Sequence, residues 1–199
     1  DVPILRKRLE FMAYLQVKPT HDLLLVADYD VASDDIEEIK EGHKPFFRTV
    51  ELRNIKQSPS IAMWPHNVNA AFRKTVRILW GQYGEPFSWI KWTGWFNYES
   101  DVTLLVPDAI PKLEAIYRAG NKPFAGYFNE NRLKGGILVR HLNGAAIYPT
   151  RKDNEAMRYN KDMMLNDSLP WDVVGMKDFT LTISTRIDSD KYAHFFSTR

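Results

Sequence analysis

The stretch HDLLLVADYD, residues 21–30, decides the fold class. Its apolar run, residues 23–27, does not alternate with polar positions. An unbroken apolar strand is typical of a parallel sheet that is covered on both faces. Asp28 and Asp30 follow the run directly, and ligands of open α/β sheets bind at the carboxyl ends of such strands. The stretch therefore predicts an α/β protein with a binding edge after this strand.

Helical and strand patterns alternate along the rest of the chain. We predict a helix over residues 4–15, a short helix with Ser33 as N-cap that ends at Gly42, and a strand over residues 46–52. Later patterns predict helices at 70–80, 110–117 and 154–165, and strands at 87–98, 124–128 and 179–187. Residues 137–148 are predicted to hold a strand and a second loop, the loop at residues 141–149. This alternation favours an α/β fold in one domain, residues 1–199, with a mixed, mostly parallel sheet flanked by helices.

Composition narrows the class of protein. The 199 residues, 44% hydrophobic, suffice for one sizeable core. A net charge of +2 is compatible with anionic ligands such as sugar nucleotides and is too weak to indicate nucleic acid by itself. The absence of cysteine excludes disulfide scaffolds and thiolate sites and fits a reducing compartment, so we expect a cytoplasmic protein. No apolar run approaches the ~20 residues of a membrane helix. The first residue is Asp1, so we expect an excised piece or a missing first strand.

Two acids, Glu99 and Asp101, stand one serine apart inside an aromatic and apolar run. If a strand ends there, residues two apart face the same side and both carboxylates converge. Hard oxygen ligands of this kind suit Mg²⁺ or Mn²⁺. The alternative is a pair of surface acids in a turn. The apolar residues on both sides favour a metal site in a crevice.

Five further positions have both a functional and a structural interpretation. Asp28 could accept a hydrogen bond from a nucleobase or ribose, or cap a helix. Arg73 could bind phosphate or be a surface arginine on an amphipathic helix. Asn143, before Gly144 in the predicted loop at residues 141–149, could bind a sugar hydroxyl or form a simple turn. Asp172, beside a tryptophan, is a candidate general base or an N-cap. His194 stands among aromatic residues, and it is of interest as a metal ligand only if it lies near Asp101.

Motifs of several enzyme classes are missing from the sequence. There is no phosphate-binding Walker loop, no Gly-x-Gly-x-x-Gly, no Gly-x-Ser-x-Gly and no His-Glu-x-x-His. Hydrolases and nucleotide triphosphatases of those kinds therefore have no support in the sequence.

The motifs taken in order resemble those of nucleotide-sugar glycosyltransferases with the GT-A fold, in particular a bacterial and viral subgroup. The resemblance spans residues 22 to about 172. It comprises LLVADYDVASDD at 24–35, WPHNVNAAFR at 64–73, ESD at 99–101, PFAG at 123–126, and HLNG at 141–144 followed by Tyr148 and Pro149. The family's acid-x-acid motif begins with Asp, where this chain has Glu99, so Asp101 is the firmer match. The family's first strand would precede residue 4.

The resemblance implies a metal-dependent transfer of a sugar from a nucleotide-sugar, a UDP-sugar by expectation, to a hydroxyl group on a glycan or on hydroxymethylated DNA. Asp101, Glu99 and His194 would hold Mn²⁺ or Mg²⁺. Asp28 would contact the nucleobase, Asn143 the sugar or acceptor, and Asp172 would be the base of an inverting reaction. The remaining donor-binding residues implied are Asp30, Asn69, Arg73, Ser100 and Gly144.

Two alternatives stay open at this point. Six tryptophans and nine tyrosines suit a non-catalytic domain that stacks on sugars or bases. The second alternative is a glycosyltransferase of viral type that modifies DNA. A basic patch on the protein surface, for example one formed by Arg6, Lys7, Arg8 and Lys18, would favour this hypothesis.

Overall fold

The computed structural model describes residues 2–27, 32–55, 66–79, 94–99, 102–132, 138–149, 184–187 and 192–195. Within these ranges the protein is a mixed α/β protein, as the alternating patterns predicted. The helices are α1 (Val2–Tyr14), α2 (Ser33–His43), α3 (His66–Leu79) and α4 (Ala109–Gly120), with a short 3₁₀ turn at Lys44–Phe46. The strands are β1 (Leu23–Ala27), β2 (Val50–Asn54), β3 (Gly94–Phe96), β4 (Val102–Leu104), β5 (Phe124–Arg132), β6 (Leu138–Pro149), β7 (Ser184–Arg186) and β8 (Ala193–Phe195).

Contacts along the chain divide it into two compact units. Unit 1 comprises Asp1–Lys56, Glu99–Ala115 and Asp188–Arg199, and unit 2 comprises Gln57–Tyr98 and Ile116–Ile187. Whether the two units act as one domain, as the sequence suggested, stays a prediction.

Unit 1 contains the parallel pair β1–β2. Leu23 pairs with Val50 and Ala27 with Asn54, and α2 lies between the two strands in sequence. A strand, a helix and a parallel strand form the βαβ unit that such apolar strands require. The parallel pairing inferred from residues 21–30 is confirmed.

The ends of α2 differ from the prediction. Its N-cap is Ala32, without a side-chain cap, and Ser33 is already helical. Gly42 lies inside the helix, which continues to His43. A Cβ at Gly42 would lie 2.6 Å from Leu9 Cδ1. The glycine therefore allows α1 to approach α2 closely. The prediction that Gly42 ends the helix was wrong, because the absence of a side chain at this position serves the packing of the two helices.

Unit 2 contains a four-stranded sheet in the order β3-β6-β5-β7. Only β5–β7 is parallel there, and β4–β8 of unit 1 is also antiparallel. Among the described strands, three pairings are antiparallel and two are parallel. The sheets are mixed as expected, but parallel pairing does not predominate, because the long β5–β6 pair is antiparallel.

Helix α3 packs its apolar face on this sheet. It begins at His66, earlier than predicted, and Phe72 and Val76 face the core. Phe72 lies 5.4 Å, ring centre to ring centre, from the fully buried Tyr148, and half-buried Trp95 packs against both. The remaining members of this core are Phe124, Phe128, Leu142 and Ala146. Aromatic burial of this extent is a main source of stability for the sheet.

The prediction of a loop at residues 141–149 is wrong, because β6 runs through all of these residues to Pro149. Phe128 pairs with Leu142, yet Gly126 pairs with Ala146, so residues 143–145 of β6 oppose Tyr127 alone. The extra residues form a bulge. A local pattern of Asn and Gly indicates a turn equally well, and only the partner strand decides between turn and bulge.

Gly120, at the end of α4, provides a test of this packing. A Cβ at Gly120 would overlap Thr185 Oγ1 and would lie 2.8 Å from Thr185 Cβ and Cγ2. Helix propensity alone predicts that Gly120→Ala stabilises by up to ~1 kcal/mol. We expect a loss of about 2 kcal/mol instead, because the branched side chain of Thr185 must shift. Urea unfolding measures the difference.

Gly42→Ala is the matched control. Its new methyl group meets only the flexible end of Leu9, so we expect a smaller loss. Stabilisation by Gly120→Ala would contradict the contact with Thr185.

Candidate functional site

Glu99 is the one member of the acid pair among the described residues, and it lies outside the strands. β3 ends at Phe96, and Val102, the first residue of β4, donates its N–H to the Glu99 carbonyl at 3.1 Å. A hydrogen bond from residue i+3 to residue i is the bond that closes a β-turn. The prediction of a strand that runs into the acids is therefore wrong, because β3 ends three residues before Glu99. The Glu99–Val102 hydrogen bond, called the Glu99 turn below, is the described contact at this position, and it directly precedes β4.

Arg8 of α1 anchors this turn from inside unit 1. Its side chain is buried, with 6% exposed, and Nη1 donates to the Glu99 carbonyl oxygen at 3.0 Å. The same oxygen thus accepts from both Arg8 and Val102. A charged donor makes a stronger hydrogen bond than a neutral one. Sequence reasoning missed this residue, although Arg8 lies four positions before the buried Met12 and therefore on the inner face of the helix.

His43 is the second partner of Arg8. The imidazole is completely buried, its Nδ1 lies 2.7 Å from the Ile39 carbonyl, and its Nε2 lies 3.3 Å from Arg8 Nη2. Because carbonyls accept and guanidinium groups donate, Nδ1 carries the proton and Nε2 accepts. Burial, aided by the positive charge of Arg8, lowers the pKa of His43 to about 4. The ring is therefore uncharged at neutral pH and is suited to accept from Arg8.

The last described strand returns to the segment that follows the acids. β8 pairs antiparallel with β4, so that His194 lies opposite Thr103, and Leu105 donates its N–H to the Tyr192 carbonyl at 2.8 Å. Directly opposed residues of such a pair have Cα atoms about 5 Å apart. The backbone of His194 therefore lies one strand away from Thr103, which follows Asp101 by two positions in the sequence.

The bulge of β6 contains Asn143 and Gly144, two of the predicted donor-binding residues of unit 2. Asn143 Oδ1 accepts from the Ala145 N–H at 2.9 Å. The Gly144 carbonyl accepts from Asn97 Nδ2 at 3.1 Å and from the Tyr148 hydroxyl at 3.0 Å. The bulge is therefore held by Asn97, which follows β3, and by Tyr148 of β6 itself. Since the Asn143 oxygen is used locally, a ligand would meet its NH₂ group as a donor.

Helix α3 carries two predicted donor-binding residues, which differ in burial. Asn69 is completely buried in the first half of the helix, and Arg73 follows one turn later at intermediate exposure. Their spacing places both on one helix face. Burial favours a packing role for Asn69, while Arg73 keeps some access to solvent.

The remaining candidates, Asp28, Asp30, Ser100, Asp101 and Asp172, lie outside the described residues. By chain segment, unit 1 includes Asp28, Asp30, Glu99, Ser100, Asp101 and His194, and unit 2 includes Asn69, Arg73, Asn143, Gly144 and Asp172.

The basic cluster proposed as a mark of DNA binding is not a continuous patch. Arg8 is buried, and Arg6 Nε and Nη2 donate to the two carboxylate oxygens of Glu38 at 2.7 and 2.6 Å. Arg6 also lies 3.4 Å from Asp35. These hydrogen bonds hold the pKa of Glu38 below its usual value. Two of the four cations are thus engaged within unit 1.

In the part of the chain that the structure describes, no group of three or more His, Asp or Glu side chains forms a metal cluster. Asp101, one of the three predicted ligands, lies outside the described residues. Nor does any described helix combine the length and apolar character needed to cross a bilayer.

No family model, curated protein or solved structure matches the chain significantly.

The buried His43 makes stability depend on pH. Its pKa is about 4 in the folded protein and ~6.5 when unfolded. The stabilisation is therefore complete above pH ~6.5, decreases as the pH falls, and is lost below about 4, with a total on the order of 3 kcal/mol. We expect His43→Gln, which cannot titrate, to lose less stability over this range than the unmodified protein in urea unfolding.

The carboxylates titrate in the same window, so the comparison between the two proteins isolates His43. Parallel pH profiles would contradict an uncharged, buried imidazole.

Proposed function

We propose that this chain is a metal-dependent glycosyltransferase of the GT-A type, which transfers a sugar from a nucleotide-sugar, a UDP-sugar in this proposal, to a hydroxyl acceptor. One observation carries the proposal. The β4–β8 pairing sets His194 opposite Thr103, close in the chain to Asp101. His194 was of interest as a metal ligand only if it lies near Asp101, and this pairing brings its backbone next to the strand that follows Asp101.

The βαβ unit of unit 1 supports a nucleotide-binding edge. β1 and β2 run parallel and in register to Ala27 and Asn54, and the Ile55 N–H donates to the Ala27 carbonyl at 3.0 Å. Asp28 is the next residue after β1. The carboxyl ends of parallel strands are where open α/β sheets bind ligands. A role for Asp28, with Asp30, in holding the nucleobase and ribose is consistent with this position.

The donor atoms of the proposed metal set fit the ion. Two carboxylates, Glu99 and Asp101, and one imidazole, His194, offer the oxygen and nitrogen ligands that Mn²⁺ accepts, and Mg²⁺ prefers the oxygens. When bound, such an ion neutralises charge on the diphosphate leaving group. The protein itself supplies the turn that holds Glu99 and the strand that holds His194.

The chemical step of the proposal is a displacement at the anomeric carbon. The acceptor oxygen forms a bond to that carbon, the bond from the carbon to the diphosphate oxygen breaks, and the acceptor proton passes to the carboxylate of Asp172 if the reaction inverts. Arg73 would bind phosphate oxygens, and the Asn143 NH₂ group would donate to a sugar hydroxyl. Ser100, Asn69 and Gly144 are the other donor-binding residues that the sequence resemblance implies.

For the acceptor, we favour a glycan over hydroxymethylated DNA. Arg6 and Arg8, two of the cations that a DNA-acting enzyme would present, are engaged within unit 1. A viral origin and a cytoplasmic location belong to the same proposal.

The proposal predicts a metal-dependent response to nucleotide-sugars. In a thermal-shift titration with UDP- and GDP-sugars, we expect Mn²⁺ to be required for stabilisation. At ligand concentrations about 100-fold above the dissociation constant, the stabilisation is ~2.7 kcal/mol. Asp101→Asn keeps the shape of the side chain but removes its charge, and we expect it to abolish this effect and the product detected by mass spectrometry.

Asp108→Asn is the matched control. Asp108 is an exposed acid in the same chain segment, and it lies 2.8 Å from Lys112. We expect it to keep metal-dependent binding and transfer. If nucleotide-sugars bind without Mn²⁺ and no product forms, the result supports a non-catalytic sugar-binding domain instead. Full activity of Asp101→Asn would contradict the assignment of Asp101 as a metal ligand.

A further inference from the structure

The buried contact between Arg8, His43 and Glu99 connects three separate parts of unit 1. Arg8 comes from α1, His43 from the end of α2, and Glu99 from the turn before β4. Neither Arg8 nor His43 belongs to the donor or metal residues of the proposed function. Both are nonetheless among the most buried polar side chains of the described residues.

We infer that Arg8, supported by His43, is a positioning residue that fixes the Glu99 turn and thereby sets the affinity of the acid motif for a divalent cation. The effect on metal affinity rests on the proposed function, which supplies the metal. The anchoring of the turn by Arg8 is independent of the proposed function.

The geometry explains why arginine is needed. One Nη group of Arg8 donates to the Glu99 carbonyl at 3.0 Å while the other donates to His43 at 3.3 Å. A planar guanidinium presents two donors in a fixed fork, whereas a lysine ammonium is a single flexible point charge. Only arginine can therefore hold the turn and the imidazole simultaneously from one rigid group.

His43 completes the anchor because its orientation is fixed. Nδ1 is bound to the Ile39 carbonyl at 2.7 Å, one helical turn earlier, so Nε2 faces Arg8. A neutral acceptor at this place directs the guanidinium without competing for its charge. The carboxylate of Glu99 is carried by the residue whose carbonyl Arg8 holds, so a loosened turn would let that carboxylate sample more positions. Metal affinity falls when ligands must be ordered on binding.

The experiment compares variants in the full chain. Arg8→Lys removes the fork, His43→Leu removes the acceptor, and His43→Gln replaces it with an uncharged oxygen. Mn²⁺ alone is the probe, and its binding is measured by the electron paramagnetic resonance signal of the free ion. We expect Arg8→Lys and His43→Leu to raise the dissociation constant about tenfold, and His43→Gln to restore most of the affinity.

Two controls separate positioning from general stability. Met12→Ala removes another buried side chain of α1 one turn from Arg8, and we expect it to lower the melting temperature and to leave Mn²⁺ affinity unchanged. Arg6→Lys changes an exposed arginine of the same helix and should alter neither. If Met12→Ala weakens Mn²⁺ binding as strongly as Arg8→Lys, the effect is one of stability and the inference is overturned.

Hydrogen exchange of the Val102 amide tests the anchor without metal. That amide donates to the Glu99 carbonyl, the oxygen that Arg8 also binds. We expect its protection to fall about tenfold in Arg8→Lys, with the Leu23 amide of β1 unchanged. Unchanged Val102 protection overturns the inference, even if Mn²⁺ binds. If the unmodified protein binds no Mn²⁺, the proposed metal site fails, and a loss of Val102 protection would still support the anchoring role of Arg8.

Discussion

A positive charge buried inside unit 1 constrains the elements around it. Removing a guanidinium from water is costly unless its N–H groups find acceptors. In this protein the acceptors include a backbone carbonyl of the turn before β4 and a neutral imidazole at the end of α2. Helix α1, helix α2 and the acid turn must therefore assemble together. The absence of a side chain at Gly42 allows this assembly, because a side chain there would contact Leu9 of α1.

Local patterns were sufficient where one physical cause dominated. The apolar run of β1 predicted its parallel pairing, and helical spacing predicted α1 and most of α3. The same kind of reasoning failed where a second segment decides the outcome. Gly42 and the residues 143–145 have the composition of helix ends and turns, but their roles follow from Leu9 and from the register against Tyr127. Such contacts are not encoded in any short window of sequence.

The candidate site shows the same division. The sequence drew attention to Glu99 and Asp101 by their chemistry, but the backbone of Glu99 is held by a hydrogen bond from Val102 that the strand-end interpretation did not include. Arg8 could have been found from its spacing to Met12, since both lie on one helix face. His43 could not, because its significance appears only when α1 and α2 pack. Whether His194 is a candidate metal ligand depended on the pairing of two strands that are distant in sequence, and the β4–β8 pair supplies that pairing.

The β4–β8 pair has a consequence for the order of assembly. Thr103 and His194 are separated by about 90 residues, whereas the strands of the β1–β2 pair are about 27 residues apart. Closing the longer loop costs more chain entropy and slows formation of the contact. During synthesis from the N-terminus, the segments of unit 2, which end at Ile187, emerge before β8. The acid turn thus acquires its partner strand only after the intervening chain has been made, so that a ribosome-bound chain passes through a stage in which β4 is an open edge.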